Sequence, residues 1–298
     1  MKKVFVIIVT YKGQRWYEKC FTSLRESTLP VQTVVVDNTP GDEDAEYIKA
    51  RYPEVHIIKT QENLGFGKAN NLGMRYAMDN GCDYVFLLNQ DAWIEKDSIA
   101  KLVEVAEQYP EYGIISPMHL NADQNHLNFL LDDGNRNYEL LSDLYFGKTK
   151  DIYPIIYANA AAWLLPRKTL ETIGGFSPIF QQYAEDDDYI NRVLYHNYKI
   201  GLCPAVKIVH DHQSSFSAHV HKKSLNSHPL FAEWLNIKKS FSARKYYRYY
   251  IRRWIKSVIL RDAYFQDYYV KAITLLRQHK QQIIYIRQQN IQKQPSWL

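Results

Sequence analysis

Three stretches of the chain carry side chains whose types and spacing suit chemistry on a charged, oxygen-rich substrate. The first is VFLLNQDAWI, an apolar run that ends in Asn89, Gln90 and Asp91. A carboxylate at the end of a buried strand offers oxygen ligands to Mg²⁺ or Mn²⁺ and leaves other coordination positions for a diphosphate. Taken alone, an Asp at this place is more often a turn or cap residue, so the element needs company. The second stretch is FQQYAEDDDYINR, in which Glu185, Asp186, Asp187 and Asp188 open a helix. One or two acids in a first turn are accounted for by the helix dipole. Four in a row repel each other, and a carboxyl raised by its neighbours is suited to act as a general base toward a hydroxyl. Asp188 and Arg192, spaced i and i+4, read as a structural pair. The third stretch is KIVHDH, where His210 and His212 follow an extended run; a lone histidine says little, but two at a strand end favour metal ligation.

A fourth stretch, NLGFGKANNLG from Asn63 to Gly73, sets Gly65 and Gly67 before a helix, a pattern that lets backbone approach a phosphate or sugar. It matches neither GxGxxG nor GxxxxGK[ST], which disfavours a dinucleotide-dependent dehydrogenase and a P-loop nucleotide hydrolase.

These residues need a scaffold that delivers them to one edge. From Val4 to about His119, apolar β-type runs alternate with amphipathic helical segments, which predicts an α/β fold with a mostly parallel, Rossmann-like sheet flanked by helices. Such sheets bind ligands beyond the carboxyl ends of their strands. The polar residues there are Thr10 and Tyr11; Asp37 and Asn38; Glu62 and Asn63; and Asn89, Gln90 and Asp91. Between Leu120 and Tyr153 the periodicity weakens, and loops or a hairpin are expected. The expected organisation is a catalytic domain over 1–228, with a nucleotide-binding part over 1–119 and an acceptor part over 120–228. A helical extension over 229–298 follows.

Composition narrows the class. Hydrophobic residues make up 46% and charged residues 23% of the 298, which suits a globular chain rather than a disordered or disulfide-stapled one. The three cysteines, Cys20, Cys82 and Cys203, lack CxxC spacing and fit a reducing compartment. The apolar run Val4–Val9 is too short for a signal or a span, and no stretch reaches the ~20 apolar residues a bilayer requires. The expected location is the cytoplasm or the inner face of its membrane. The net charge of +5 is concentrated between Lys238 and Arg261, where cations interleave with tyrosines and a tryptophan. That tail reads either as a solvated helix packed on the catalytic domain or as a contact with an anionic membrane; no nucleic-acid motif accompanies it.

Together, VFVIIVTYK, VVVDNT, ENLGFGKANNLG, FLLNQDAWI, ANAAAWLLPRKTLETIGGF, FQQYAEDDDYINR and KIVHDHQSS resemble, in order, the pattern of glycosyltransferase family 2 with the GT-A fold, and its rhamnosyltransferase-like bacterial members in particular. The resemblance covers about Val4 to Ser215. It implies an inverting transfer from a nucleotide-diphosphate sugar, dTDP-rhamnose or a UDP-hexose, to a glycan or lipid-linked acceptor in surface polysaccharide assembly. It also implies that Thr10 and Tyr11 line the nucleotide pocket, that Asp37 holds the base or ribose, and that Asn63 to Gly67 close over the nucleoside. Asp91 stands in the last place of the family's Asp-x-Asp metal motif. Asn89 stands in the first, so His210, or failing that His212, completes a Mg²⁺ or Mn²⁺ site. Asp186 takes the place of the catalytic base, with Glu185 as the alternative, and Trp163 falls where the family lines the donor-sugar and acceptor pocket. Two other readings are a sugar-phosphate nucleotidyltransferase and a non-catalytic scaffold of polysaccharide assembly.

Overall fold

The computed structural model describes residues 1–127, 137–211 and 228–298. Strand β1 (Val4–Thr10) leads through helix α1 (Gln14–Arg25) to β2 (Val31–Asp37), then through α2 (Glu43–Arg51) to β3 (His56–Lys59). Helix α3 (Phe66–Asp79) returns the chain to β4 (Tyr84–Leu88), and β1, β2, β3 and β4 pair in parallel. The short strand β5 (Ala92–Ile94), helix α4 (Ser98–Gln108) and β6 (Tyr112–Leu120) follow. Helix α5 (Tyr138–Phe146), strands β7 (Tyr153–Ile155) and β8 (Ala162–Pro166), helices α6 (Arg167–Ile173) and α7 (Glu185–Tyr195) and strand β9 (Lys199–His210) complete the sheet region. Its strand order is β3-β2-β1-β4-β8-β6-β9-β5, with β7 on β9. Antiparallel β8 joins the parallel first half to a second half in which β6 and β9 are again parallel.

Both faces of the sheet are covered, which is why its strands read as nearly continuous apolar runs. Val4, Val6 and Ile8 pack under α1, α2 and α4, with Tyr17, Cys20, Phe21 and Leu24 forming the inward stripe of α1. Phe5 and Ile7 face the other way, against Met74 and Ala77 of α3, Leu170 of α6 and Tyr189 of α7. A Cβ on Gly73 would stand 2.3 Å from Ile7, so only glycine lets α3 approach β1 this closely. All three cysteines are buried free thiols.

The segment expected to hold loops or a hairpin contains helix α5, although residues 128–136 lie outside the described residues. The helix escapes periodicity because Leu140 is its one buried side chain. Local chemistry defines it instead: the Asn137 side chain accepts from Leu140 N, and Gly147 ends it at φ +66°.

Three further helices, α8 (His228–Leu235), α9 (Ala243–Ile259) and α10 (Ala263–Ile291), enclose a cluster with Trp234, Tyr250, Tyr269 and Leu276 at its centre. The chain end returns to the sheet region: Gly175 N donates to Ser296 O at 2.8 Å, and Asn290 Nδ2 donates to Ser177 Oγ at 3.1 Å. No described helix is long and apolar enough to cross a membrane.

Candidate active site

A cavity of about 540 Å³ opens at the carboxyl ends of β1, β2 and β4. Its floor and one wall are amide-rich. Tyr11 follows β1 and is clamped to Gln90 by two hydrogen bonds, Tyr11 N to Oε1 at 2.9 Å and Nε2 to Tyr11 O at 3.2 Å. Asn38, just after β2, donates through Nδ2 to Gly65 O at 3.3 Å and accepts Thr60 Oγ1 at 3.1 Å. Asn63 folds its own loop, its Oδ1 accepting Gly65 N at 2.9 Å. Gly65 has φ +80°, and a Cβ there would meet Gln181 O at 1.9 Å. The loop therefore lies against the segment that precedes α7, and both edges of the cavity are held together at a residue that has to be glycine.

The opposite wall is acidic. The antiparallel register of β5 and β9 pairs Ala92 with His210, which brings the turn after β4 against the end of β9. Asp91 Oδ1 and His210 Nε2 come to 3.4 Å, and Asp211 N donates to Asp91 O at 2.8 Å. His119 stacks edge-on to His210 with ring centroids 6.1 Å apart, and burial followed by the His210 ring lowers it to about 3, so it is neutral.

Helix α7 supplies the remaining acids and divides them. Glu185 is 6% exposed, lines the cavity and leaves Oε2 without a hydrogen-bond partner among the described residues. Burial, reinforced by Asp186 and Asp187, pushes its carboxyl up to about 7 against a backbone hydrogen bond that opposes the shift. Asp186 also lines the cavity; its Oδ2 accepts the Tyr157 hydroxyl at 2.9 Å and its Oδ1 accepts Asp187 N at 2.9 Å. Burial raises the Asp186 carboxyl, and these two hydrogen bonds pull it back. Asp187 turns outward. Asp188 turns into the core, where Arg192 Nε donates to it at 3.0 Å and Ser177 Oγ at 2.7 Å, the structural pair expected from the i,i+4 spacing. Tyr183 and Ala184, just before α7, both sit in the left-handed region at φ +69° and +67°. Two consecutive non-glycine residues there store backbone strain where the acids are presented.

The cavity thus gathers Tyr11, Asn63, Gly65, Asn89, Gln90, Asp91, Glu185, Asp186 and His210 from the expected set. Four expected residues lie elsewhere. Thr10 is fully buried and donates to Asp37 Oδ1 at 3.0 Å. Asp37, expected at the base or ribose, lies beneath the cavity with its oxygens taken by Thr10, Thr39 N and Lys59 Nζ; its neighbour Asn38 faces the opening because successive residues at a strand end point to opposite sides. Gly67 is buried, its missing Cβ directed at Phe176 and Glu185. Trp163 is a core residue, fully buried and packed on Phe176 and Tyr189, not a wall of the pocket. His212 lies outside the described residues. Sequence reasoning left out Tyr157, Asn159, Gln182 and Tyr183, and reached Phe66 only as part of the loop from Asn63 to Gly67. Of these, Gln182 and Tyr183 belong to the stretch already singled out for its acids.

Asp91 and His210 are the two expected metal ligands that the acidic wall brings together. An oxygen and a nitrogen 3.4 Å apart approach the ligand-to-ligand spacing of about 3 Å in an octahedral shell. Among the described residues no group of three or more His, Cys, Asp or Glu side chains is disposed to hold a metal ion; Asp91 and His210 are the pair that would hold one.

Comparison with known proteins agrees with this architecture. The chain is 29% identical over 210 residues to the low-salt glycan biosynthesis hexosyltransferase Agl10 of Haloferax volcanii, covering 69% of this chain and 66% of that one. It is 25% identical over 230 residues to the N-acetylglucosaminyl-diphospho-decaprenol L-rhamnosyltransferase of Mycobacterium tuberculosis, covering 69% and 75%. The crystal structure of S. aureus TarS 1-349 superposes with a TM-score of 0.54 at 14% identity, over 70% of this chain and 60% of that one, and a second TarS structure contains UDP. The chain thus spans between 60% and 75% of the length of these proteins. The match to the pattern of glycosyl transferase family 2 runs over residues 5–173, more than half the chain. With the GT-A architecture and the ordered motifs in agreement, the chain belongs to glycosyl transferase family 2.

Proposed function

We propose that the chain is a metal-dependent inverting glycosyltransferase that moves a sugar from a nucleoside diphosphate donor to a hydroxyl of a glycan or lipid-linked acceptor. The observation that carries this reading is the convergence of Asp91, His210, Glu185 and Asp186 on one cavity beside an amide-lined wall. Tyr11, Asn63 and Phe66 offer the ring and amide contacts a nucleoside needs, and Asn38 braces the loop that carries two of them. Asp91, Glu185 and Asp186 bring carboxyl groups to a space where a diphosphate adds further negative charge, and a divalent cation held by Asp91 and His210 would reconcile the two. Bound there, Mg²⁺ or Mn²⁺ supplies Lewis-acid stabilisation of the diphosphate.

Asp186 accepts the proton of the acceptor hydroxyl. Each of its oxygens already accepts one hydrogen bond and keeps a lone pair for another. The freed oxygen attacks the anomeric carbon, its electron pair forms the new glycosidic bond, and the bond to the diphosphate breaks on the opposite face, so the configuration inverts. Glu185, pushed up to about 7, is mixed in protonation near neutrality and serves to hydrogen-bond a sugar hydroxyl beside the base.

The relative acting on N-acetylglucosaminyl-diphospho-decaprenol supports a lipid-linked acceptor, and dTDP-rhamnose and UDP-hexoses head the donor candidates. A thermal-shift screen of UDP, dTDP and their sugars with and without Mn²⁺ tests the reading. Stabilisation by one nucleotide class, larger with Mn²⁺, supports it. Diphosphate release from a nucleoside triphosphate plus sugar phosphate would instead identify a nucleotidyltransferase.

A further inference from the structure

Helix α9 has three distinct faces. One packs inward: Ala243, Tyr250 and Ser257 are buried, Tyr250 accepts Trp234 Nε1 at 3.0 Å, and Tyr246 stacks on Tyr250 with centroids 5.9 Å apart. A second carries Ile251, Trp254, Ile255, Val258 and Ile259, whose three- and four-residue spacing sets them side by side. All five are exposed, from 38% for Trp254 to 74% for Ile259, and Leu260 beyond them is 65% exposed. Lys245, Arg252 and Lys256 form a third beside Ile259, and Arg248, three, seven and eleven residues before Ile251, Ile255 and Ile259, heads the apolar row; all four cations are exposed. No acidic residue occurs between Ala243 and Arg261.

The tyrosines expected from sequence to meet a headgroup region are therefore largely turned away, and aliphatic residues stand in their place. Tyr250 is core and Tyr246 and Tyr247 are half-buried, while Tyr249 remains outward among the cations. A contiguous aliphatic patch rimmed by cations is costly in water and calls for an occupant.

We propose that α9 is an interfacial helix: Ile251, Trp254, Ile255, Val258 and Ile259 enter the acyl boundary of an anionic bilayer while Lys245, Arg248, Arg252 and Lys256 meet its headgroup phosphates. The helix is too short and too charged to span, and an apolar arc beside a cationic one is the pattern of helices that lie in the plane of the surface. Charge selects this occupant. A second copy of the chain would oppose the same face across a two-fold axis and bring cation against cation, with no acid in the segment to pair them. A nucleic acid would satisfy the lysines and arginines but leave the isoleucines in water. This inference does not rest on the proposed transfer reaction, and binding is measured without turnover.

The test is co-sedimentation of the full chain with phosphatidylcholine vesicles and with vesicles of equal phosphatidylcholine and phosphatidylglycerol. The expected result is recovery with the anionic vesicles, falling as salt is raised. Ile255→Asp with Ile259→Asp, and separately Arg252→Glu with Lys256→Glu, should each lower the partition coefficient by roughly tenfold or more. Trp254 provides a second readout that needs no destabilising change: its emission, taken as the difference between the wild-type chain and Trp254→Phe, should shift to shorter wavelength on anionic vesicles. Equal recovery with neutral vesicles, no recovery with either, or no change in Trp254 emission would overturn the proposal. So would a dimer in sedimentation velocity that Ile255→Asp dissociates, or single-stranded DNA binding that competes with the vesicles.

Discussion

The Tyr157 hydroxyl donates a 2.9 Å hydrogen bond to Oδ2 of Asp186 and so fixes the carboxylate that faces the cavity. Because the bond stabilises the ionised form, it holds the Asp186 carboxyl lower than burial alone would leave it. Tyr157→Phe should therefore raise that carboxyl further, and the acid limb of the kcat/KM profile should move to higher pH, by about one unit or less. A profile that falls in amplitude without moving would assign Tyr157 a role in packing only.

Glu185 gives a stability signature of known sign. Its folded-state carboxyl is raised from 4.5 to about 7, so the native chain binds the extra proton between those values. That contribution is fully present below pH 4.5 and is lost as pH rises through 7. Glu185→Gln should flatten the decline of Tm between pH 5 and pH 8, recovering roughly 1–3 kcal/mol at the alkaline end. Parallel melting curves for the two proteins across that range would refute the assignment.

The Asp188–Arg192 pair is 1% exposed on both sides, and Arg192 also donates to Ile173 O at 2.8 Å and Gly175 O at 2.7 Å. Removing either partner leaves a buried charge uncompensated. Arg192→Ala and Asp188→Ala should each cost about 3–5 kcal/mol in chemical denaturation. Asp187→Ala, at an exposed position whose carboxyl burial, Asp186 and Asp188 push up to about 6, should cost nothing and raise stability slightly above pH 6.

Sequence and structure agree most closely where a strand end dictates the outcome. Once β1 and β4 are recognised as parallel neighbours, Tyr11, Asn89, Gln90 and Asp91 must emerge at the same edge, and they do. The position of Trp163 was not legible for a physical reason: β8 is buried on both faces, with Ala162 and Leu164 in one cluster and Trp163 and Leu165 in the other, so alternation carries no information about which side meets ligand. Asp37 and Asn38 differ by one residue and hence by one face, and the turn that decides between them is set by Lys59 and Thr39, which are distant or small in the sequence signal. Tyr157 sits in the aperiodic connection between β7 and β8 and becomes visible only through its contact with Asp186. In α9 the aliphatic and aromatic residues both recur at helical spacing, and the packing of Tyr250 on Trp234 and Tyr269, with Ala243 and Ser257 buried beside it, selects the inward side.

The acidic wall makes a separate prediction about metal. Asp91→Ala and His210→Ala should each abolish the additional stabilisation that Mn²⁺ gives the nucleotide complex, and chelation of the wild type should have the same effect. Nucleotide binding without metal should survive in both variants. Undiminished Mn²⁺ enhancement in either variant would remove that residue from the pair.

The proposed removal of the acceptor proton by Asp186 is tested most directly by transfer by Asp186→Asn, measured alongside donor binding by the same protein. Turnover should fall by roughly 10²–10⁴-fold with donor affinity within a few-fold of wild type. Transfer at near the wild-type rate would contradict it.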